Sequence, residues 1–369
     1  MSTAVVWDDR LGIHDMGEAA LYIPPGGLVE SDLHIDNPAR ILRTRHVISA
    51  AGLDDILTFR APREASLDEL ARVHSAEHIG LMQKISKAGG GDAGGGYTPM
   101  DARSYELGAL SAGSTLTALD LVMQKVVENA HAMTRHSGHH ASRDTGFGFC
   151  IFNNVAIAAR AAQSAYELRR VAIVDIDAHH GNGTESIFYA DPSVLTISIQ
   201  QDRLFPVETG DSSTLGAGDG VGYNLNVNLP AGTGDEGYLY GFDKIVAPAL
   251  RAFRPELILV ACGVDASYYD PMARLAVTAR GFRAIGARLR DLARELCSGK
   301  LIMSQEGGYS QQYAPFCWLA LIEAIADVEN IHEDPFEPFL EGAGTRELAP
   351  WQQNAIDETT RALEGHWSH

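Results

Sequence analysis

The chain has 369 residues, 45% of them hydrophobic and 21% charged, which is the composition of an ordinary folded globular protein. Its formal net charge of −19 argues against direct binding to nucleic acid, which needs a basic surface, and is compatible with a cationic substrate such as a lysine side chain or a polyamine. No apolar run approaches the length of a membrane span and no basic-then-apolar segment opens the chain, so the sequence predicts neither a transmembrane helix nor a signal peptide.

The predicted elements alternate between strands and helices along the chain. Strands are expected at 5–7, 131–134, 171–176, 194–199, 223–227, 256–262 and 300–304. Helices are expected at 38–51, 66–86, 109–129 (long and amphipathic), 154–168, 184–190, 236–253, 279–297 and 313–328. The glycine-rich tract at 89–96 is expected to be an irregular surface loop. This alternation predicts an α/β fold, with one domain over residues 1–369 and a mostly parallel central sheet covered by helices on both faces.

The four cysteines are widely spaced, lie in apolar settings and form no CxxC pair. They are Cys150, Cys262, Cys297 and Cys317. Isolated cysteines of this kind are typical of reduced core residues, which fits a cytoplasmic protein. They also make a cysteine-rich zinc site improbable.

Residues 171–183 (VAIVDIDAHHGNG) carry the densest chemistry of the chain. An apolar, β-branched strand ends in Asp175, Asp177, His179 and His180, at the end of a strand where ligands bind in open α/β sheets. Alternation along an extended segment places Asp175, Asp177 and His179 on one side and His180 on the other. Two oxygens and one nitrogen on one side suggest half of a divalent-metal site. The alternative is that the aspartates cap the next helix, which explains only one of them.

Four further segments place chemical groups where predicted strands end, or just after. They are 134–141 (TRHSGHHA), 144–150 (DTGFGFC), 260–266 (VACGVDA) and 303–309 (MSQEGGY). Because the carboxyl ends of parallel strands share one edge of a sheet, we expect these groups to meet the 175–180 segment.

In this order, GHHA, GFCIFNN, DIDAHHGNGT, an aspartate after a buried strand, and EGGY resemble the signature of the histone deacetylase superfamily. The resemblance runs from about Pro38 to Tyr309 and beyond, and is closest to the class II-like bacterial histone deacetylase-like amidohydrolases, relatives of the acetylpolyamine amidohydrolases. It implies the arginase/deacetylase-type fold. It also implies a zinc-dependent amidohydrolase that removes acetyl or other acyl groups from lysine-type amines with metal-activated water.

The resemblance implies that Asp177, His179 and Asp265 hold a Zn²⁺ ion. Three protein ligands leave a fourth coordination position open, which is the catalytic arrangement. Two carboxylates and one imidazole form a fairly hard ligand set, so the site would also suit Fe²⁺.

By the same match, His140 is the general base and later protonates the leaving amine, while His139 gives electrostatic support or shares the acid role. Asp175 matches the residue that hydrogen-bonds His139 and favours its charged form. Asn182 stands where many class I enzymes have aspartate, so we expect His140 to be the more easily neutral histidine. Tyr309 matches the tyrosine that donates a hydrogen bond to the substrate carbonyl.

Substrate-binding residues follow from the same resemblance. Phe149 and Phe205 match the two walls of an acyl-lysine tunnel, and Gly148 matches the residue whose carbonyl receives the substrate N–H. Met272 lies where the polyamine-specialised eukaryotic deacetylase has glutamate, which favours acyl-lysine over a polyamine. The expected partners are a small-molecule or peptide acyl-amine substrate, hydroxamate-type inhibitors and, as in many bacterial relatives, further copies of the chain.

The family also binds structural K⁺ ions. One matching site consists of Asp175, Asp177, His179, Ser198 and Ile199; the other consists of Phe188, Asp191, Val194 and Tyr223.

The segment Arg135-His136-Ser137 departs from the Arg-Pro-Pro of many relatives. Losing two prolines loosens the backbone and adds a titratable group that we expect near the tunnel entrance, with consequences for acyl preference and pH profile. His14, in the amino-terminal loop, is expected to be solvated.

Three alternatives remain open. The first is an acetylpolyamine amidohydrolase. The second is an arginase-like ureohydrolase, which needs two Mn²⁺ ions and an acid where DIDAHHG has a second histidine. The third is a non-catalytic acyl-lysine binding protein, whose mark would be the loss of a ligand, a base or the tyrosine, and none is lost.

Overall fold

A computed structural model gives the structure of the chain and describes residues 2–329, 333–340 and 347–367. The strands of this part are β1 (Thr3–Val6), β2 (Thr58–Arg60), β3 (Gly90–Asp92), β4 (Pro99–Asp101), β5 (Asn129–Ala132), β6 (Val171–Asp175), β7 (Val194–Gln201), β8 (Asn224–Leu229), β9 (Leu257–Cys262) and β10 (Leu301–Gln305). Its helices are α1 (Ala39–Ala50), α2 (Leu67–Ala71), α3 (Ala76–Lys87), α4 (Ser104–Met123), α5 (Asn154–Tyr166), α6 (Asn182–Phe188), α7 (Asp235–Gly241), α8 (Ala247–Phe253), α9 (Ala279–Cys297), α10 (Ala314–Ile325), α11 (Glu337–Leu340) and α12 (Pro350–Trp367). None of these helices is both long and apolar enough to cross a bilayer.

Eight strands form one sheet in the order β2-β1-β5-β10-β9-β6-β7-β8, and all of its pairings are parallel. The central strands β6 and β9 are neighbours, although the chain leaves β6 towards β7 and β8 and leaves β9 towards β10. Such a reversal opens a crevice beyond the carboxyl ends of the strands. The loops after β5, β10, β9 and β6 therefore lie side by side.

Both faces of the sheet are covered. In β6, Val171 and Ile173 belong to a buried cluster with residues of α4 and α5, whereas Ala172 and Val174 belong to a second cluster with residues of α9 and α10. Alternate residues of a strand bury opposite faces, which explains why β6 is apolar throughout. The predicted single α/β domain with a parallel sheet between two helical layers is confirmed.

Three predicted helices differ from the structure. The segment 236–253 forms α7 and α8, which a π-helical turn over Phe242–Val246 joins. The segment 66–86 forms two helices, because Ser75 accepts a hydrogen bond from the backbone of His78 and caps a new helix, α3. The helix predicted at 109–129 is α4, which runs from Ser104 to Met123 and is buried on most sides rather than amphipathic. Two of its buried hydroxyls find partners, Leu110 O for Ser114 Oγ and Ser304 Oγ for Thr115 Oγ1, so polar residues did not mark an exposed face.

The expectation of an irregular loop at 89–96 was wrong in part. Gly90–Asp92 pairs with Pro99–Asp101 as a two-stranded antiparallel ribbon. Gly90 and Gly91 have φ values of 140° and 158°, and a glycine ladder of this kind carries no side-chain pattern that would reveal it. The short strand β2 and the helices α11 and α12 were likewise not predicted.

Candidate active site

Two aspartates and one histidine converge where β6 and β9 end. Nδ1 of His179 lies 3.0 Å from Oδ1 of Asp177 and 2.8 Å from Oδ2 of Asp265. The backbone N–H groups of Ala178 and Gly307 donate to the other carboxylate oxygens, Oδ1 of Asp265 and Oδ2 of Asp177. All three side chains are buried, and backbone donors from separate loops fix both carboxylates.

These three residues fit a divalent cation. Their potential ligand atoms lie within 4.8 Å of one another. Burial and the neighbouring Asp177 carboxylate raise the pKa of Asp265 to about 6, because two buried carboxylates lie close together. A cation between them would remove this repulsion, and one nitrogen with two oxygens is a ligand set that zinc accepts.

The predicted histidine pair follows β5. Nδ1 of His139 lies 2.9 Å from Oδ2 of Asp175, and Nδ1 of His140 lies 2.7 Å from Oδ1 of Asn182. The two rings are 4.0 Å apart. Since the amide oxygen of Asn182 only accepts, Nδ1 of His140 carries the proton and its Nε2 keeps a lone pair.

The two histidines have opposite electrostatic surroundings. Burial opposes the charged form of His139, but Asp175 and Asp177 outweigh it and raise the pKa of His139 to about 10. Burial, then His139 and His179, lower the pKa of His140 well below its ordinary value. These directions favour a charged His139 and a neutral His140.

A second group of possible metal ligands, His139, Cys150 and Glu306, also lies within 4.8 Å. It is the poorer candidate, because its members have other partners. Nδ1 of His139 contacts Asp175, and Oε2 of Glu306 accepts the backbone N–H groups of Gly138 and His139.

Tyr309 lies beside this cluster at the end of β10. Its backbone N–H donates to Oδ2 of Asp270 at 2.7 Å, and the guanidinium of Arg40 lies 5.5 Å from its ring centre. A Cβ at Gly307 would overlap Oδ2 of Asp265, so only glycine lets the chain pass the carboxylates before it turns to Tyr309.

A cavity of about 350 Å³ opens above the cluster and is lined by His140, His179 and Tyr309 together with Gly148, Phe149 and Phe205. The Phe205 ring meets the His140 ring edge-on at 5.3 Å. Gly148 has φ of +53°, and a Cβ there would overlap the His140 ring, which explains why a glycine lies at this point. A larger cavity of about 680 Å³, between α9, α10 and residues 333–338, contains none of the predicted site residues.

The remaining lining of this cavity is mostly apolar. It includes Met272, Leu21, Tyr22 and Tyr97. Arg274 is the only permanently charged side chain among the described lining residues, and none of those residues is a carboxylate.

Two histidines are not where the sequence suggested. His136 is 1% exposed, so Arg135-His136-Ser137 adds no titratable group at the tunnel entrance; burial, then His14, lower the pKa of His136 well below its ordinary value. His14 is fully buried rather than solvated, because its ring packs at 4.0 Å against His136 and its carbonyl accepts from Arg135 at 2.7 Å.

The predicted potassium residues lie in two places. Ser198 pairs with Asp175 across β6 and β7; Ile199 follows Ser198 in β7, and Asp177 and His179 follow Asp175 after the end of β6. In the second group the backbone N–H of Asp191 donates to the carbonyl of Phe188, that of Val194 donates to the carbonyl of Asp191, and the carbonyl of Tyr223 accepts from Thr196.

Three site neighbours were not predicted. Phe147 stacks on Phe205 at 5.1 Å with the ring planes 8° apart, and the signal was its place two residues before Phe149 in GFGF. Glu306, in EGGY, anchors the backbone of the histidine pair. Arg40 forms a fully buried ion pair with Asp36, and nothing in the sequence of an ordinary helix start points to it.

Comparison with known proteins agrees with this geometry. The sequence model of the Histone deacetylase domain matches residues 34–325. A histone deacetylase-like amidohydrolase of Pseudomonas aeruginosa is 40% identical over 92% of this chain and 90% of its own length. A probable deacetylase of Archaeoglobus fulgidus is 37% identical over 82% of this chain and 85% of its own.

Among solved structures, the crystal structure of the HDA15 HD domain superposes with a TM-score of 0.86 at 28% identity, over 100% of this chain and 95% of that domain. These likenesses support the prediction of a hydrolytic deacetylase. The chain belongs to the histone deacetylase family.

Proposed function

We propose that this enzyme uses a divalent metal ion to remove acetyl groups, or other acyl groups, from lysine-type amines. One observation carries the proposal. The Asp177, His179 and Asp265 cluster, the neutral histidine His140 and the phenol Tyr309 adjoin one cavity with aromatic lining residues.

A Zn²⁺ or Fe²⁺ ion held by the cluster would acidify a water molecule and polarise the amide carbonyl. Nε2 of His140 takes a proton from the water as its oxygen adds to the carbonyl carbon. The Tyr309 hydroxyl donates to the oxygen on which negative charge develops. The C–N bond then breaks, His140 returns its proton to the departing amine, and the acyl group leaves as a carboxylic acid that loses its remaining proton to the amine or to solvent. His139, kept protonated by Asp175, adds positive charge beside the reaction.

The cavity suits a lysine stem. Phe149 and Phe205 would enclose its methylene groups, and the Gly148 carbonyl would accept the substrate N–H. Met272 and Arg274 offer no negative charge to a second ammonium group, and Arg274 repels one. An acyl-lysine is therefore favoured over an acetylpolyamine.

Parallel assays of an acetyl-lysine peptide and N-acetylputrescine, with metal-loaded protein, test this choice. We expect the larger kcat/KM for the peptide. Turnover of N-acetylputrescine alone would favour the acetylpolyamine alternative, and no hydrolysis of any acyl chain would favour the non-catalytic one. Arg274→Glu should raise kcat/KM for N-acetylputrescine several-fold, whereas Arg169→Glu, exposed just before β6 and outside the cavity lining, is the matched control.

We further expect a hydroxamate to compete with the substrate for the cluster. Potassium would bind at the two residue groups described above, mainly through backbone carbonyls. Replacing K⁺ by choline should then lower the melting temperature, and an unchanged melting temperature would contradict the potassium sites.

We place the enzyme in the cytoplasm, because all four cysteines are free and buried. Cell fractionation tests that placement. Assembly into a homo-oligomer stays a prediction that size-exclusion chromatography with light scattering can test.

A further inference from the structure

The wall of the cavity formed by Phe205 belongs to a long connection between β7 and β8. Residues 202–214 of this connection are here called the Phe205 loop. Its Val207 is 66% exposed, and Glu208 and Thr209 are also exposed. Little apolar burial therefore holds this part of the loop, yet Phe205 must keep its place against Phe147 and His140.

His180 makes two hydrogen bonds to the Phe205 loop, one at Phe205 and one at Thr209. Its backbone N–H donates to the carbonyl of Phe205 at 3.0 Å, and its Nδ1 lies 2.8 Å from Oγ1 of Thr209. Because Oγ1 of Thr209 donates its own proton to the carbonyl of Pro206 at 2.9 Å, it accepts from Nδ1–H of His180. The buried residue His180 thus binds the loop at Phe205 and at Thr209, on either side of Pro206.

Glu185 in turn fixes the ring of His180. Its Oε2 lies 3.2 Å from Nε2 of His180 and accepts from Nδ2 of Asn224 at 2.6 Å and Nδ2 of Asn226 at 2.8 Å. A carboxylate oxygen that accepts from two amide groups and contacts an imidazole nitrogen is a rigid anchor between α6 and β8. Nδ2 of Asn226 also donates to Oγ1 of Thr214 at 2.8 Å, which ties the far end of the loop to the same group.

We propose that His180 and Glu185 are positioning residues that set the place of the Phe205 wall, and hence the fit of the cavity around a substrate stem. Neither belongs to the Asp177, His179 and Asp265 cluster or to the acid–base pair. The proposal rests on the proposed function only for the identity of that stem. It also gives a role to the second histidine of DAHHG, which the mechanism leaves unused.

Amide hydrogen exchange tests whether His180 and Glu185 hold the Phe205 loop, and it does not depend on catalytic activity. Thr209→Val removes the hydroxyl that His180 holds, and Glu185→Gln weakens the group that fixes the ring. Both should speed amide exchange across residues 202–214 and leave α9 and α10 unchanged. Thr209→Ser restores the hydroxyl and should restore protection. Ser213→Ala is the matched control in the same loop, because its Oγ contacts only Asp211.

Steady-state kinetics then distinguish a displaced Phe205 wall from a general loss of active enzyme. Loss of one such hydrogen bond should raise KM for an acetyl-lysine peptide by up to about tenfold in Thr209→Val and leave kcat nearly unchanged. Unchanged exchange in both Thr209→Val and Glu185→Gln, or a fall in kcat at constant KM, would overturn the proposal. A wild-type protein that hydrolyses nothing would refute the proposed function, and the exchange result would still decide the role of the anchor.

Discussion

At the scale of single residues, the contribution of Tyr309 to the proposed chemistry can be tested separately from its contribution to structure. Its ring lines the cavity while its backbone is fixed by Asp270, so removal of the hydroxyl should leave the local structure in place. Tyr309→Phe should lower kcat by roughly 10²–10³, the usual loss for one oxyanion donor. Steady-state kinetics on an acetyl-lysine peptide measure it.

Tyr105→Phe is the matched control, because the Tyr105 hydroxyl accepts from Gln83 away from the cavity. Wild-type kcat in Tyr309→Phe would contradict the role of the phenol.

The residues of the site were predictable wherever a motif carried the signal. Asp177, His179 and Asp265 meet as the order of motifs suggested, since parallel strands deliver their carboxyl ends to one edge. His14 and His136 were misjudged, because their burial depends on contact between segments distant in the chain. The pattern of residue types along a sequence does not show contacts between segments that are far apart in the chain.

At the scale of elements, two helical glycines have opposite expected effects on stability. Gly80 lies exposed within α3, and a Cβ there meets nothing within 4 Å, so Gly80→Ala should stabilise the fold by about 0.5–1 kcal/mol. In α4, a Cβ at Gly113 would overlap the backbone carbonyl of Arg63, so Gly113→Ala should destabilise it by about 1–3 kcal/mol.

Denaturant unfolding of the two variants measures both changes. Equal shifts of the same sign would contradict the packing of α4 against the 63–65 segment.

Element prediction succeeded where periodicity was strong. The helix predicted at 279–297 is α9, Ala279–Cys297, with Thr278 as its cap. It failed for the β3–β4 ribbon, whose formation depends on contacts between strands rather than on a local pattern. It also failed for the short strand β2, because three residues carry too little pattern.

At the scale of the whole molecule, buried neutral histidines should make stability fall with acidity. Burial lowers the pKa of His14 and His74 to about 3 and that of His131 to about 4, against 6.5 in the unfolded chain. Above pH 6.5 both states are neutral and this stability is complete. Between pH 6.5 and 4 the unfolded chain binds protons that the folded state excludes, so the free energy of unfolding decreases as pH falls.

Each such histidine should add about 1.4 kcal/mol per pH unit to that slope. Denaturant unfolding between pH 5 and 6 measures it. His131→Gln should reduce the slope by about 1.4 kcal/mol per pH unit, the contribution of one histidine. His46→Gln, exposed on α1, should leave the slope unchanged. A slope that His131→Gln leaves unchanged would contradict the buried, neutral state of His131.

The proposed chemistry depends most on a single cation held by three side chains from two strand ends. Metal content after zinc loading and desalting, measured by mass spectrometry on wild type and Asp265→Ala, tests this directly. We predict about one divalent ion at this cluster per wild-type chain and none there in the variant. Two Mn²⁺ ions per chain, as in an arginase-like site, or an unchanged content in Asp265→Ala, would contradict it.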